Sequence, residues 1–151
     1  DPSQTINDRA RAWLEINCAH CHRADGPAKN SGLHLLADET NLSKLGVGKA
    51  PVAAGKGSGG LLYGIVPGKP EESILQFRIE SVHPGIMMPE LGRSITHEEG
   101  VALVRQWILN LLVMAGAILK VLHIKGSGYL LPVGVAMFFF YLAVRARAKS
   151  N

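Results

Sequence analysis

The chain has 151 residues, 47% of them hydrophobic, and a formal net charge of +4. All twelve acidic residues lie between Asp1 and Glu99 beside eleven basic ones up to Arg105, which leaves residues 1–109 at −1, whereas Lys120, Lys125, Arg145, Arg147 and Lys149 put residues 110–151 at +5. The basic character therefore belongs to the tail; it excludes a nucleic-acid reading of the net charge and points to a membrane-facing end on a single domain.

The first predicted element is an amphipathic helix. Ile6, Ala10, Trp13, Leu14 and Asn17 recur at helical spacing, so a helix delivers the chain into Cys18. There the sequence reads Cys18-Ala19-His20-Cys21-His22. Two thiols three residues apart with a histidine directly after the second form the attachment pattern of a c-type haem: each thiol adds to one vinyl group, and the adjacent imidazole becomes the proximal ligand of the iron. The competing readings are weaker. These are the only two cysteines, so no second pair completes a zinc tetrahedron, a bridge over two intervening residues cross-links little, and no βαβ pattern marks a thioredoxin-like redox pair.

Farther on, Gly46 to Gly60 holds six glycines and little periodicity, which predicts a surface loop at one edge of the cofactor. Its Gly55-Lys56-Gly57-Ser58 looks like a phosphate loop, but the glycine five residues earlier is missing and Gly57 occupies the hydroxyl slot. Pro70-Glu71-Glu72 followed by Ile74, Leu75, Phe77, Arg78 and Ile79 predicts a second helix, with proline in its first turn and carboxylates at the positive end of its dipole.

A second axial ligand is sought in Pro84-Gly85-Ile86-Met87-Met88-Pro89. A thioether is a soft ligand suited to low-spin iron, and flanking prolines stiffen the loop that must hold it. Met88 is the first choice and Met87 the alternative. His83 is the rival, otherwise a loop residue or a contact to a haem propionate; His20, His34, His97 and His123 have no such force. Thr96-His97-Glu98-Glu99 fits a capping box, opening a third helix whose stripe is Val101, Val104, Trp107, Ile108 and Leu111. Trp13 and Trp107 are read as packing residues where the first and last helices cross. Lys44, Lys49 and Lys56 are either a ring that steers an acidic partner or an ordinary solvated loop.

From about Ile6 to Leu111 the chain resembles a class I cytochrome c domain. More narrowly it is similar to the haem module of a Shewanella-type family of periplasmic c-type cytochromes. The matching blocks are Cys18 to Pro27, Ser31-Gly32-Leu33-His34-Leu35, Pro51 to Gly60, Ile65-Val66-Pro67-Gly68, and Pro84 to Arg93 with His97 to Val101. The resemblance implies an all-α fold with helices around one covalent haem c and long glycine-rich loops. It also implies a single-electron carrier with His22 and a methionine of the Met87-Met88 pair on the iron. One departure concerns the proline common after the haem motif in such domains: Gly32-Leu33 stands here without it, which leaves the acceptor that orients the His22 ring unassigned.

The tail is of a different character. Gly126 to Val144 is nineteen residues without a charge, about 28 Å as a helix, against a bilayer core of roughly 30 Å. Phe138-Phe139-Phe140-Tyr141 and the basic end supply an interface. The expected organisation is a haem domain over residues 1–110 and a membrane anchor over 111–151, with one span at about 126–145 and a possible second at 106–119. Haem is attached outside the cytoplasm, so the first domain belongs on the periplasmic side of the cytoplasmic membrane. A chain starting at Asp1 instead of Met is the expected product of signal removal. Partners are then redox proteins or subunits of a respiratory or photosynthetic membrane complex, and membrane lipid. A peroxidase-like haem enzyme subunit and a purely structural subunit are the alternatives; no carboxylate pair, nucleophile triad or second metal site supports an enzyme.

Overall fold

A computed structural model describes residues 1–53, 55–91 and 93–121, with side chains in the last helix described as far as Leu112. The described residues are helical and contain no strand. The first helix, α1, spans Ile6–Leu14. Thr5 caps it: the hydroxyl accepts from the Asp8 amide at 3.1 Å and donates to the Asp8 carboxylate at 2.7 Å, a reciprocal cap worth about 1 kcal/mol. The chain then widens into a π-turn over Glu15–Ala19. The turn packs Cys18 and Ala19 into the core beside Ala10 and Leu14.

The second helix, α2 (Ile74–Glu80), follows a 3-10 turn at Pro70–Glu72. Its buried Ser73 joins the two, donating to the Lys69 carbonyl and accepting from the Val66 amide. The third, α3, runs Glu98–Val121. The capping box expected at Thr96 is not formed. The amide of Val101 is bonded to the His97 carbonyl, so His97 stands at the cap, and the Thr96 hydroxyl reaches instead toward the Glu80 carbonyl at 3.5 Å.

Helices α1 and α3 cross, and both tryptophans lie at that crossing. Trp107 is buried and donates to the Asn7 side-chain oxygen at 3.0 Å; Trp13 donates to His97 at 2.9 Å. Gly100 permits the approach, since a methyl group there would collide with the Trp13 indole nitrogen. Between α1 and α2 the backbone is mostly irregular, pinned at a few points. The buried Arg11 guanidinium holds the Leu36 and Glu39 carbonyls at 2.6 and 2.9 Å. Gly46, at φ +99°, and Gly64 let two loop segments touch, because a Cβ on Gly64 would lie 2.8 Å from the Gly46 carbonyl oxygen.

Helix α3 passes residue 110 without a break, and Leu111 packs against the core. The stretch 106–119, considered above as a second crossing, thus begins inside the domain: Trp107 and Ile108 are core residues. Among the described residues no helix is long and apolar enough to cross a membrane. The span expected at about 126–145 lies outside them.

Candidate functional site

The π-turn and the helix before it decide where the Cys18 to His22 segment goes. After the π-turn the amides of Cys21 and His22 both fold back onto the Cys18 carbonyl, at 3.1 and 2.8 Å. The tight reversal brings Cys18, Cys21 and His22 together on the wall of one cavity of about 430 Å³. That volume lies in the range of roughly 300–1,000 Å³ typical of small-molecule and cofactor sites. Leu35, Leu45 and Ile65 line it from the loops, and Ile74, Leu75 and Ile79 line it from α2. The interior is therefore largely apolar.

Met88 lines the same cavity and Met87 does not. The Met88 amide donates to the Arg78 carbonyl at 3.0 Å, and the Met88 carbonyl accepts from the Arg93 guanidinium, which also holds the Ser81 carbonyl. Arg78 in turn donates through Nε to the Ile86 carbonyl at 2.8 Å. The methionine loop is thus tied by two guanidinium groups as well as bounded by Pro84 and Pro89. His83, the rival ligand, does not line the cavity; its Nδ1 faces the Pro84 carbonyl at 2.6 Å in an exposed turn. His20 also lines the cavity but is exposed, His34 pairs with Glu39 at 3.5 Å, and His97 accepts from Trp13. His123 lies outside the described residues.

The electrostatics suit a neutral ligand set. Burial, with Arg78 and His20 nearby, pushes the His22 imidazole below its ordinary value, which keeps a lone pair available for a metal. Burial pushes the Cys18 thiol up to about 12. A catalytic redox pair needs a depressed thiol, so Cys18 is badly placed for disulfide exchange; as a thioether the same sulfur would carry no titratable proton and its burial would cost nothing. Cys18 and Cys21 are unbridged, and among the described residues no three His, Cys, Asp or Glu side chains are grouped to hold a metal ion.

Of the three lysines considered at the rim, Lys49 lines the cavity, Lys44 is drawn to Glu39 at 3.7 Å, and Lys56 is exposed. Gly55–Ser58 is a 3-10 turn whose Gly57 lies against Arg78; a Cβ there would come within 3.0 Å of the guanidinium carbon. Three contributors escaped the sequence reading. Arg78 read only as part of a helix and Arg93 only as the end of a matched block, although each holds the methionine loop. The third is Ser31, whose hydroxyl lies 3.1 Å from His22 Nδ1. Its signal was the Ser31-Gly32 pair itself, a turn ending at a glycine with φ +64°.

Comparison with family models, with curated proteins and with solved structures found no match.

Proposed function

We propose that this protein is a monohaem c-type cytochrome with the class I fold, a single-electron carrier and not an enzyme. In the same reading its C-terminal tail anchors it to the cytoplasmic membrane with the haem domain on the periplasmic side. The observation that carries the proposal is the convergence of Cys18, Cys21, His22 and Met88 on one apolar cavity of cofactor size. The fit is chemical as well as spatial. Two adjacent sulfurs are available for thioether bonds, and a neutral imidazole and a thioether are available as axial ligands. Bound there, a haem iron would supply reversible one-electron chemistry.

The chain's own residues set the conditions for that chemistry. Leu35, Ile65 and Ile79 present apolar side chains to the interior; an apolar surrounding disfavours net charge, one of the levers on reduction potential. Arg78, with a side chain only 18% exposed, supplies a fixed positive charge at the cavity wall, partly countered by Glu90 at 3.7 Å. The ties on the Met88 backbone hold the residue at the cavity wall, where its thioether would be available to a bound haem and could close the site to small ligands. A carrier needs this closure, whereas a peroxidase-like site needs an open position. The partners proposed are redox proteins or subunits of a membrane complex.

The test is expression with export and a haem-attachment system. Pigment that survives denaturation and is lost in the Cys18→Ala/Cys21→Ala protein is expected. Met88→Ala should abolish the near-red sulfur-to-iron band of the oxidised protein while Met87→Ala keeps it. Absence of covalent pigment overturns the proposal; loss of the band in Met87→Ala alone moves the ligand by one residue.

A further inference from the structure

We infer that Ser31 is the positioning residue of the iron-facing histidine: its hydroxyl fixes the His22 ring in the Nδ1–H form and leaves Nε2 as the metal-binding nitrogen. The inference rests on the proposal that His22 ligates haem iron, and it deepens that proposal by naming what orients and tunes the ligand. It comes from a complete count of one hydroxyl. A serine Oγ has one hydrogen to donate and two lone pairs. Ser31 Oγ lies 2.7 Å from the Ala28 carbonyl, which can only accept, so the hydrogen is committed there. The Leu33 amide lies 3.2 Å away and can only donate, so it takes one lone pair. What remains is a single lone pair, and His22 Nδ1 is 3.1 Å from it. That nitrogen must therefore carry a proton; the other tautomer would set two lone pairs against each other.

The backbone gives the hydroxyl no freedom to do otherwise. Ser31 closes a 3-10 turn over Lys29–Ser31, with its own amide on the Ala28 carbonyl at 3.0 Å, and Gly32 ends the turn in the left-handed region at φ +64°. The turn is itself seated on the haem-attachment segment: the Ala28 amide donates to the Cys21 carbonyl at 3.1 Å and the Leu35 amide to the His22 carbonyl at 2.9 Å. Ser31 and His22 thus belong to one hydrogen-bonded loop. Because the serine hydrogen is spent on Ala28, the hydroxyl is polarised toward accepting, and the bond draws the Nδ1 proton and makes Nε2 more basic. A more basic imidazole favours the ferric state.

The experiment uses the full haem-loaded chain, reading the midpoint potential and, in the diamagnetic ferrous form, solvent exchange of the His22 ring N–H by NMR. Ser31→Ala is expected to shift the potential upward and to speed exchange roughly fivefold, the scale of one ordinary hydrogen bond. Ser31→Thr, which retains the hydroxyl, is expected to restore both. A serine that merely holds the turn would lower thermal stability in Ser31→Ala and leave potential and exchange unchanged, which overturns the inference. Should Ser31→Ala fail to fold, a Ser31→Thr protein with the alanine-type shift, or a wild-type ring proton exchanging at the rate of a solvent-exposed imidazole, overturns it as well. A wild-type chain with no covalent haem sinks the underlying proposal instead, and the two failures are distinguishable by the pigment alone.

Discussion

The backbone amide of Met88 donates to the carbonyl of Arg78 at 3.0 Å, so the segment with the candidate thioether ligand is anchored to α2. Its other side is held by Arg93, which reaches the carbonyls of both Met88 and Ser81. Hydrogen bonds from a charged donor contribute about 1.5–3 kcal/mol each, and 1.4 kcal/mol is a factor of ten in the population of a detached loop.

Arg93→Gln is therefore expected to raise the fraction of ferrous protein that binds carbon monoxide roughly tenfold over a poorly binding wild type. Stopped-flow mixing with carbon monoxide reads it. Equal binding by both proteins would remove Arg93 from the loop's restraints, and rapid stoichiometric binding by the wild type would favour an enzyme over a carrier.

At the helix crossing two effects of opposite sign compete in Gly100→Ala. Helix propensity favours alanine by about 1 kcal/mol, while overpacking against a crossing partner costs about 1–3 kcal/mol. The methyl group would meet both the Trp13 ring and His97, so the steric term wins and the variant is expected to be less stable. Denaturant unfolding measures the sign, and the added pair Trp13→Ala and His97→Ala, which removes both colliding rings, is expected to make Gly100→Ala neutral or favourable.

The buried thiol predicts a pH dependence confined to the haem-free chain. Cys18 has its proton affinity raised from 9.0 unfolded to about 12 folded, so the folded state holds its proton more tightly. Stability from this group is complete below the unfolded value and is lost as pH rises from 9.0 through about 12. Haem-free protein is expected to unfold at progressively lower urea across that window, and haem attachment, which replaces the thiol by a thioether, is expected to flatten this contribution.

Truncation after Val121 retains the whole of α3 and with it Leu111, which packs on the core. Such a chain is expected to keep the visible spectrum of the full protein and to stay in solution without detergent, whereas the full chain is expected to need detergent. In inverted vesicles, protease is expected to clip the terminal segment with Arg145, Arg147 and Lys149 while sparing the haem. Cleavage of that segment only from the periplasmic side would require a second crossing.

What was legible in the sequence is what short spacing determines. A helix before Cys18, the Cys18 to His22 pattern and the apolar stripe of α3 each depend on neighbours a few residues apart, because helical periodicity and capping act over one or two turns; the helix expected to open at Pro70 is instead divided, with Pro70–Glu72 a separate 3-10 turn, Ser73 extended and α2 beginning at Ile74. Even there local reading failed at one cap: the Thr96 hydroxyl is turned away toward the Glu80 carbonyl and His97 stands at the start of α3. The tertiary structure alone decided how distant segments meet. It brought Met88, and not Met87, onto the cavity with His22, placed the two arginines on the methionine loop, and set Ser31 against the imidazole nine positions away. A hydrogen bond across such a turn depends on loop conformation, which glycine-rich sequence leaves open until packing closes it.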